Sequence, residues 1–179
     1  MIKVYLTDLA AYNNGFLTGE WIALPLDEEE LTQKIQQILQ TGSNACEYGE
    51  VHEEWFITDY EWMEVSLTYI DEYENIYKLN EQLELIQDAE SYRLKAMKFL
   101  LEEGITLDIE DAYHRAEDVI IHENQSIEDI AYELMNECYG IEQLPSIIAN
   151  NIDYKSIAYD LELDGNYTIV GNDIFEYIG

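Results

Sequence analysis

The hydrophobic pattern switches period several times along the chain. In "IKVYLTD" (2–8) apolar residues fall at alternate positions, which predicts a first strand, and "YNNG" (12–15) supplies turn chemistry after it. "FLTGEWIALP" (16–25) predicts a second strand ending near Pro25. The period then lengthens. In "LDEEELTQKIQQILQTG" (26–42), Leu31, Ile35, Ile38 and Leu39 share one face of a helix. Asp27 and Glu30 form a capping pair at its start, and Gly42 predicts its stop. "EVHEEWFITDYEW" (50–62) predicts a third strand.

Residues 63–104 change character, with no proline and no glycine before Gly104. Ile70, Tyr73, Ile76, Tyr77, Leu79, Leu83 and Ile86 recur at helical spacing, as do Tyr92, Leu94, Ala96, Met97, Leu100 and Leu101. Two or more packed helices are expected. The last third mixes periods again: a short helix near 108–117, the strand "DVIIHE" (118–123), and a helix at 126–139 stopped by Gly140. A short helical piece follows Pro145, then a helix at 153–162. The hairpin "NYTIVGNDIFEYI" (166–178) closes the chain, and its Gly-Asn pair signals a type I′ or II′ turn. The expected fold class is α+β, an elongated chain of three small domains: α+β over 1–62, all-helical over 63–104, and α+β over 105–179.

Charge changes this picture more than any motif does. The chain carries 39 Asp and Glu against 8 Lys and Arg, a formal net charge of −31 in 179 residues, yet is 47% hydrophobic and so can bury cores. Acids outnumber bases everywhere: twelve to two over 1–63, ten to four over 64–104, and seventeen to two over 105–179. Such a surface excludes unaided binding to nucleic acid or an anionic membrane, where phosphate contacts need cations, and favours a basic partner or bound cations. No signal peptide pattern or membrane-length apolar run occurs, so a cytoplasmic protein is expected. Cys46 and Cys138 make no disulfide framework, and Cys138 lies on the stripe of Ile127, Ile130, Ala131, Leu134, Met135 and Cys138, where a buried free thiol is expected.

Catalytic chemistry finds little support. His52, His114 and His122 fit no zinc spacing, and "HEEWF" (52–56) lacks the second His of a metalloprotease helix. "DIEDAYHRAED" (108–118) has no calcium-loop glycine, and there is no phosphate-binding glycine loop or nucleophile elbow. Carboxylate pairs are so frequent that no single pair points to glycoside hydrolysis. The expectation is a protein with no enzymatic activity, cofactor or metal.

The carboxylates themselves are the informative feature. Asp129, Glu133 and Glu137 stand four apart in one row on the 126–139 helix, and like charges at that spacing cost roughly 0.2–0.5 kcal/mol per pair. No Lys or Arg lies between Arg115 and Lys155 to neutralise them. An ordinary solvated face mixes signs, and adaptation to high salt fits poorly with the abundant Ile, Tyr and Asn. Imitation of phosphates fits better. At one charge per roughly 1.7 Å of duplex axis, thirty-one charges correspond to about 53 Å, or on the order of 16 base pairs. One helical row supplies only about one charge per 6 Å, so several rows are needed. The carboxylates assigned to this role are Glu28, Glu29, Glu53, Glu54, Asp71, Glu72, Glu74, Glu117, Asp118, Glu128, Asp129, Glu133 and Glu137. An acidic adaptor for another basic DNA-binding protein, such as a nucleoid protein or repressor, is the alternative.

Four stretches together give the chain a family likeness: "VYLTDLAAYNNGFLTGEWIALP" (4–25), "FITDYE" (56–61), "EDVIIHENQSIEDIAYELMNECYGIEQLPSIIANNIDYKSIAYDLELDG" (117–165) and "DIFEYI" (173–178). In these the chain resembles the ArdA antirestriction family. The resemblance implies an elongated, curved, three-domain homodimer joined through its C-terminal domain. It also implies encoding on a mobile element, and mimicry of B-form DNA that blocks Type I restriction–modification enzymes at the groove of their methyltransferase core and specificity subunit. Ile152, Asp153, Tyr154, Asp160 and Leu161 fall in family order and are assigned to dimer or motif roles by that likeness. Tyr159 stands where the family pattern has Arg before the Asp-Leu pair, and Asn151 where it has Tyr.

Overall fold

Alternation in the first segment is realised as a three-stranded antiparallel sheet. In the computed structural model, which describes residues 1–46 and 51–179, β1 (Ile2–Asp8) lies between β2 (Gly19–Leu24) and β3 (Trp55–Trp62). Ile2, Val4 and Leu6 are fully buried while Lys3 and Tyr5 are half-buried, as period two dictates for a sheet covered on one face. The register sets Val4 opposite both Ile22 and Tyr60. Helix α2 (Glu28–Ala45) contributes Leu31, Ile35 and Ile38 to the same core. Glu50, the first residue of the expected third strand, lies outside the described residues; of the rest, Val51–Glu54 are irregular.

Three local readings are corrected in this segment. "DLAAYNNG" is not a simple turn: Asp8 ends β1 and caps a short helix α1 (Leu9–Asn13), its Oδ1 accepting from Ala11 N at 2.8 Å. The second strand starts at Gly19 and leaves Phe16–Thr18 outside it. Gly42 does not stop α2, which continues to Ala45. Gly42 is there for space: a Cβ on it would stand 2.0 Å from Asp8 Oδ2. Of the expected capping pair, Asp27 does cap, accepting from Glu29 N at 2.9 Å and Glu30 N at 3.4 Å.

The helical segment forms α3 (Ile76–Ile86) and α4 (Ser91–Glu102), with Ile76, Leu79, Leu83 and Ile86, then Leu94, Ala96, Met97, Phe99 and Leu100, turned inward. Ile70 and Tyr73 do not belong to a helix, contrary to their spacing. The backbone of 63–75 is bound to β3 instead: Ile57 N donates to Glu72 O at 2.8 Å and Trp62 Nε1 donates to Thr68 O at 3.0 Å. Asn75 caps α3 by accepting from Tyr77 N and Lys78 N. Asn80, buried on α3, bonds both polar groups of Leu26: its Oδ1 accepts from Leu26 N at 2.8 Å and its Nδ2 donates to Leu26 O at 2.7 Å. That bidentate contact satisfies the backbone between β2 and α2 and ties it to the helical segment.

The chain divides into two compact units, Met1–Tyr113 and His114–Gly179. The division falls within α5 (Ile109–Arg115), which a short 3₁₀ turn (Ala116–Asp118) follows. In the second unit β4 (Val119–Glu123), β5 (Tyr167–Val170) and β6 (Asp173–Tyr177) form an antiparallel sheet in the order β4-β6-β5. Of the turn pair Gly171-Asn172, Gly171 alone takes positive φ (+64°), the pattern of type II′. The helices are α6 (Ile127–Tyr139), α7 (Ser146–Ala149) and α8 (Tyr154–Asp164), and α6 packs on α8. Ile121, Ile130, Ala131, Ala158, Ile174 and Phe175 are buried in this unit. Cys138, expected inside, is exposed. The apolar stripe of α6 is covered early in the helix only, and its last turn, Glu137–Tyr139, stands in solvent. The protein is thus mixed α+β, with eight α-helices and two small antiparallel sheets among the described residues. No helix among those residues is long and apolar enough to cross a membrane.

Candidate partner-binding carboxylates

Short and long acidic side chains are used differently. Aspartates reach back to the local backbone: Asp27 caps α2, Asp71 accepts from Tyr73 N at 2.9 Å, Asp108 accepts from Asp111 N at 2.9 Å, and Asp153 caps α8 through Ser156 N at 3.1 Å. On α6 the start is a full capping box. Ser126 Oγ accepts from Asp129 N at 3.2 Å, while Asp129 Oδ2 accepts from Ser126 N at 2.9 Å and from Ser126 Oγ at 2.6 Å. The Ser126 hydroxyl and N–H hold the Asp129 carboxyl below its ordinary value, and the Ser156 N–H and hydroxyl do the same for Asp153.

Most of the glutamates assigned to the partner project outward. Glu28, Glu29, Glu53, Glu54, Glu72, Glu117, Glu128, Glu133 and Glu137 are exposed, as are Asp71 and Asp129; Glu74 and Asp118 are half-buried. Glu28 and Glu29 occupy the first turn of α2, a favourable place for negative charge at the positive end of the helix dipole. Glu117 and Asp118 follow α5, and the Asp118 carbonyl accepts from Ile178 N at 2.9 Å. The α6 row is answered in part by neutral donors: Gln125 Nε2 reaches Glu133 Oε1 at 2.9 Å and Ser126 holds Asp129. Glu137 stands free among the described residues.

Several of the few cations serve the fold. Arg93 donates to Tyr113 O through Nε at 3.2 Å and Nη2 at 2.8 Å, with its guanidinium 4.0 Å from the Tyr113 ring centroid. Arg115 bonds the Tyr177 hydroxyl and lies over that ring. Lys34 approaches Glu20 at 3.9 Å, and Lys98 pairs with Glu102 at 3.5 Å. Two of the three histidines are also tied to acids. His52 Nδ1 lies 2.7 Å from the fully buried Asp8 carboxylate, and His122 Nε2 lies 3.1 Å from Glu176. Among the described residues no group of His, Cys, Asp and Glu could hold a metal ion.

Glu176 also accepts from the Tyr167 hydroxyl at 3.0 Å. Burial, that hydrogen bond and the Glu176 charge push the Tyr167 hydroxyl up from 10.0 to about 12. The folded protein therefore keeps this proton while the unfolded chain gives it up. The contribution is fully present below about pH 10 and is lost as pH rises towards 12. The stability advantage of the wild type over Tyr167→Phe should accordingly be constant up to about pH 9 and shrink above about pH 10. Thermal midpoints of the two proteins across that range, in which the other tyrosines cancel, would measure it.

Of the motif residues, Ile152, Tyr154 and Leu161 are half-buried and Asp153 and Asp160 exposed. The Tyr154 ring packs on Tyr132 with centroids 5.4 Å apart, joining the start of α8 to α6. Sequence reasoning missed the buried Asp8, whose carboxylate joins β1, α1 and His52, because a single acid at a strand end carries no periodic signal.

No curated protein matches the sequence. Residues 4–176 match the family model described as Antirestriction protein (ArdA), which takes in nearly all of both sheets and almost every residue considered above. The chain belongs to the ArdA antirestriction protein family.

Proposed function

We propose that this antirestriction protein is a non-enzymatic mimic of B-form DNA that occupies the DNA-binding groove of Type I restriction–modification enzymes, formed by the methyltransferase core and the specificity subunit. The observation that carries the reading is the excess of acids over bases in every part of the chain, plainest at the exposed glutamates of α6, where no Lys or Arg lies between Arg115 and Lys155. A groove built to neutralise phosphates offers these carboxylates the cations the protein itself lacks, and counterions leave both surfaces on docking. Like-charge repulsion in the free protein is relieved in the complex, so part of the binding free energy comes from the strain of carrying the charge. The reading carries with it three segments in series, 1–62, 63–104 and 105–179, in an elongated homodimer joined through the last of them. Restriction is blocked more strongly than modification.

The test is competition. A methyltransferase core preloaded with labelled duplex should release it when the protein is added, and the affinity should fall steeply as salt rises from about 50 to 200 mM. Salt-indifferent binding, or none, defeats the proposal. Capture of a nucleoid protein or repressor in place of the restriction subunits would point to the adaptor reading.

A further inference from the structure

Beside the C-terminal end of α4, within the first unit, lies a cleft of about 430 Å³, inside the roughly 300–1,000 Å³ range of ligand pockets. Tyr60, Tyr69, Glu102, Gly104, Thr106 and Leu107 line it. Thr106 is 2% exposed, and its hydroxyl has no hydrogen-bond partner among the described residues. Its backbone is already settled, since Thr106 N donates to Leu100 O at 3.1 Å. A buried hydroxyl left unsatisfied is destabilising, and native proteins keep few of them. Thr106 itself lines an open cleft, and a turn of its side chain would bring the sealed hydroxyl to a donor bound there.

We propose that the cleft accepts a guanidinium side chain of the basic protein partner. The inference deepens the reading above and rests on it for the partner's chemistry. Four features select a cation. The cleft adjoins the negative end of a twelve-residue helix. Glu102 lines it, and none of its lining residues is basic. Tyr60 and Tyr69, an edge-to-face pair 83° apart with centroids at 6.1 Å, both line the cleft, and Tyr69 is largely exposed, which leaves aromatic surface for a cation. The Thr106 oxygen can accept an N–H. An anion would meet the helix end and Glu102 together and is disfavoured.

The shape favours guanidinium over ammonium. A planar group stacks on one tyrosine face while its edge N–H groups donate to Thr106 Oγ1 and to the Glu102 carboxylate, a fork that an ammonium cannot match. Glu102 keeps its Lys98 contact at 3.5 Å through one oxygen and has the other available. Leu107 and Tyr69, 93% and 72% exposed, form an apolar rim suited to the methylene stem of an arginine.

The experiment titrates N-acetyl-arginine-N-methylamide into the full chain, following backbone amide resonances, with the neutral norleucine analogue as control. One saturable site is expected, with shifts at Glu102, Gly104, Thr106 and Leu107 and no response to the analogue. Thr106→Val keeps the side-chain shape and removes only an atom without a partner, so the fold is retained while probe affinity drops at least about fivefold. Tyr69→Leu, at an exposed position, should weaken the probe similarly. Thr106→Val should also lower affinity for the methyltransferase core about fivefold with an unchanged salt slope, since no charge is removed. Non-saturating shifts spread over many carboxylates would overturn the proposal, as would a probe indifferent to Thr106→Val or undiminished affinity of that variant for the core. If the wild type fails to bind the core at all, the mimic reading falls, and the probe titration alone decides the cleft.

Discussion

Gly42→Ala is expected to destabilise the protein by about 3 kcal/mol, although alanine is the better helix former. On an open helix face the exchange would gain roughly 1 kcal/mol. At this position the new methyl group would stand 2.0 Å from Asp8 Oδ2 and 2.5 Å from Asp8 Cγ. Asp8 cannot yield without loss, because its Oδ1 caps α1 through Ala11 N and its Oδ2 holds His52. Overpacking costs about 1–3 kcal/mol, and weakening a buried, charge-assisted contact costs a similar amount again. The two effects act together and outweigh the propensity gain. Urea unfolding of the wild type, Gly42→Ala, Asp8→Ala and the double variant closes a cycle. With Asp8 truncated, the cost of the Gly42→Ala exchange should fall below about 1 kcal/mol. A Gly42→Ala protein as stable as the wild type would show that Asp8 does not hold α2 in place.

The same residue marks where sequence reasoning stops. Period two and period 3.6 placed the strands and most helices, because burial of one face is written locally in residue type. Close approach between distant segments is not. Gly42 looks like a helix terminator to any local rule, and only Asp8, thirty-four positions earlier, explains it. Asn80 is read locally as a polar interruption, yet it completes the backbone of Leu26. Ile70 and Tyr73 keep helical spacing with Ile76, but the backbone between them finds partners on β3 and so has no need of a helix. Cys138 shows the converse limit: periodicity gives the direction of a helix face and not how far its neighbour extends along it. Among the acids, sequence could name carboxylates but not divide them. Side-chain length does part of that, since Asp71 and Asp129 reach their local backbone while Glu128, Glu133 and Glu137 stand exposed.

That division governs the second large effect. Glu128→Gln, Glu133→Gln and Glu137→Gln combined should weaken binding to the methyltransferase core about a hundredfold at low salt. Each exposed carboxylate meeting a cation is assigned about 0.9 kcal/mol, the upper part of the measured range for exposed pairs. Three such losses total about 2.7 kcal/mol, which is a factor of about one hundred. Any one substitution alone should cost about fivefold or less. The salt slope should decrease by about three, one for each charge removed. Asp129 is left intact, because its carboxylate closes the capping box with Ser126 and its loss would confuse folding with binding. The triple variant also removes two like-charge contacts, Asp129 with Glu133 and Glu133 with Glu137, each worth roughly 0.2–0.5 kcal/mol. Glu128 stands in the first turn of α6, where its charge is favoured by the helix dipole, so its loss offsets that gain and stability should change little while affinity falls. That contrast separates a charge that serves the partner from one that serves the fold, and a triple variant within about twofold of wild-type affinity would remove α6 from the interface.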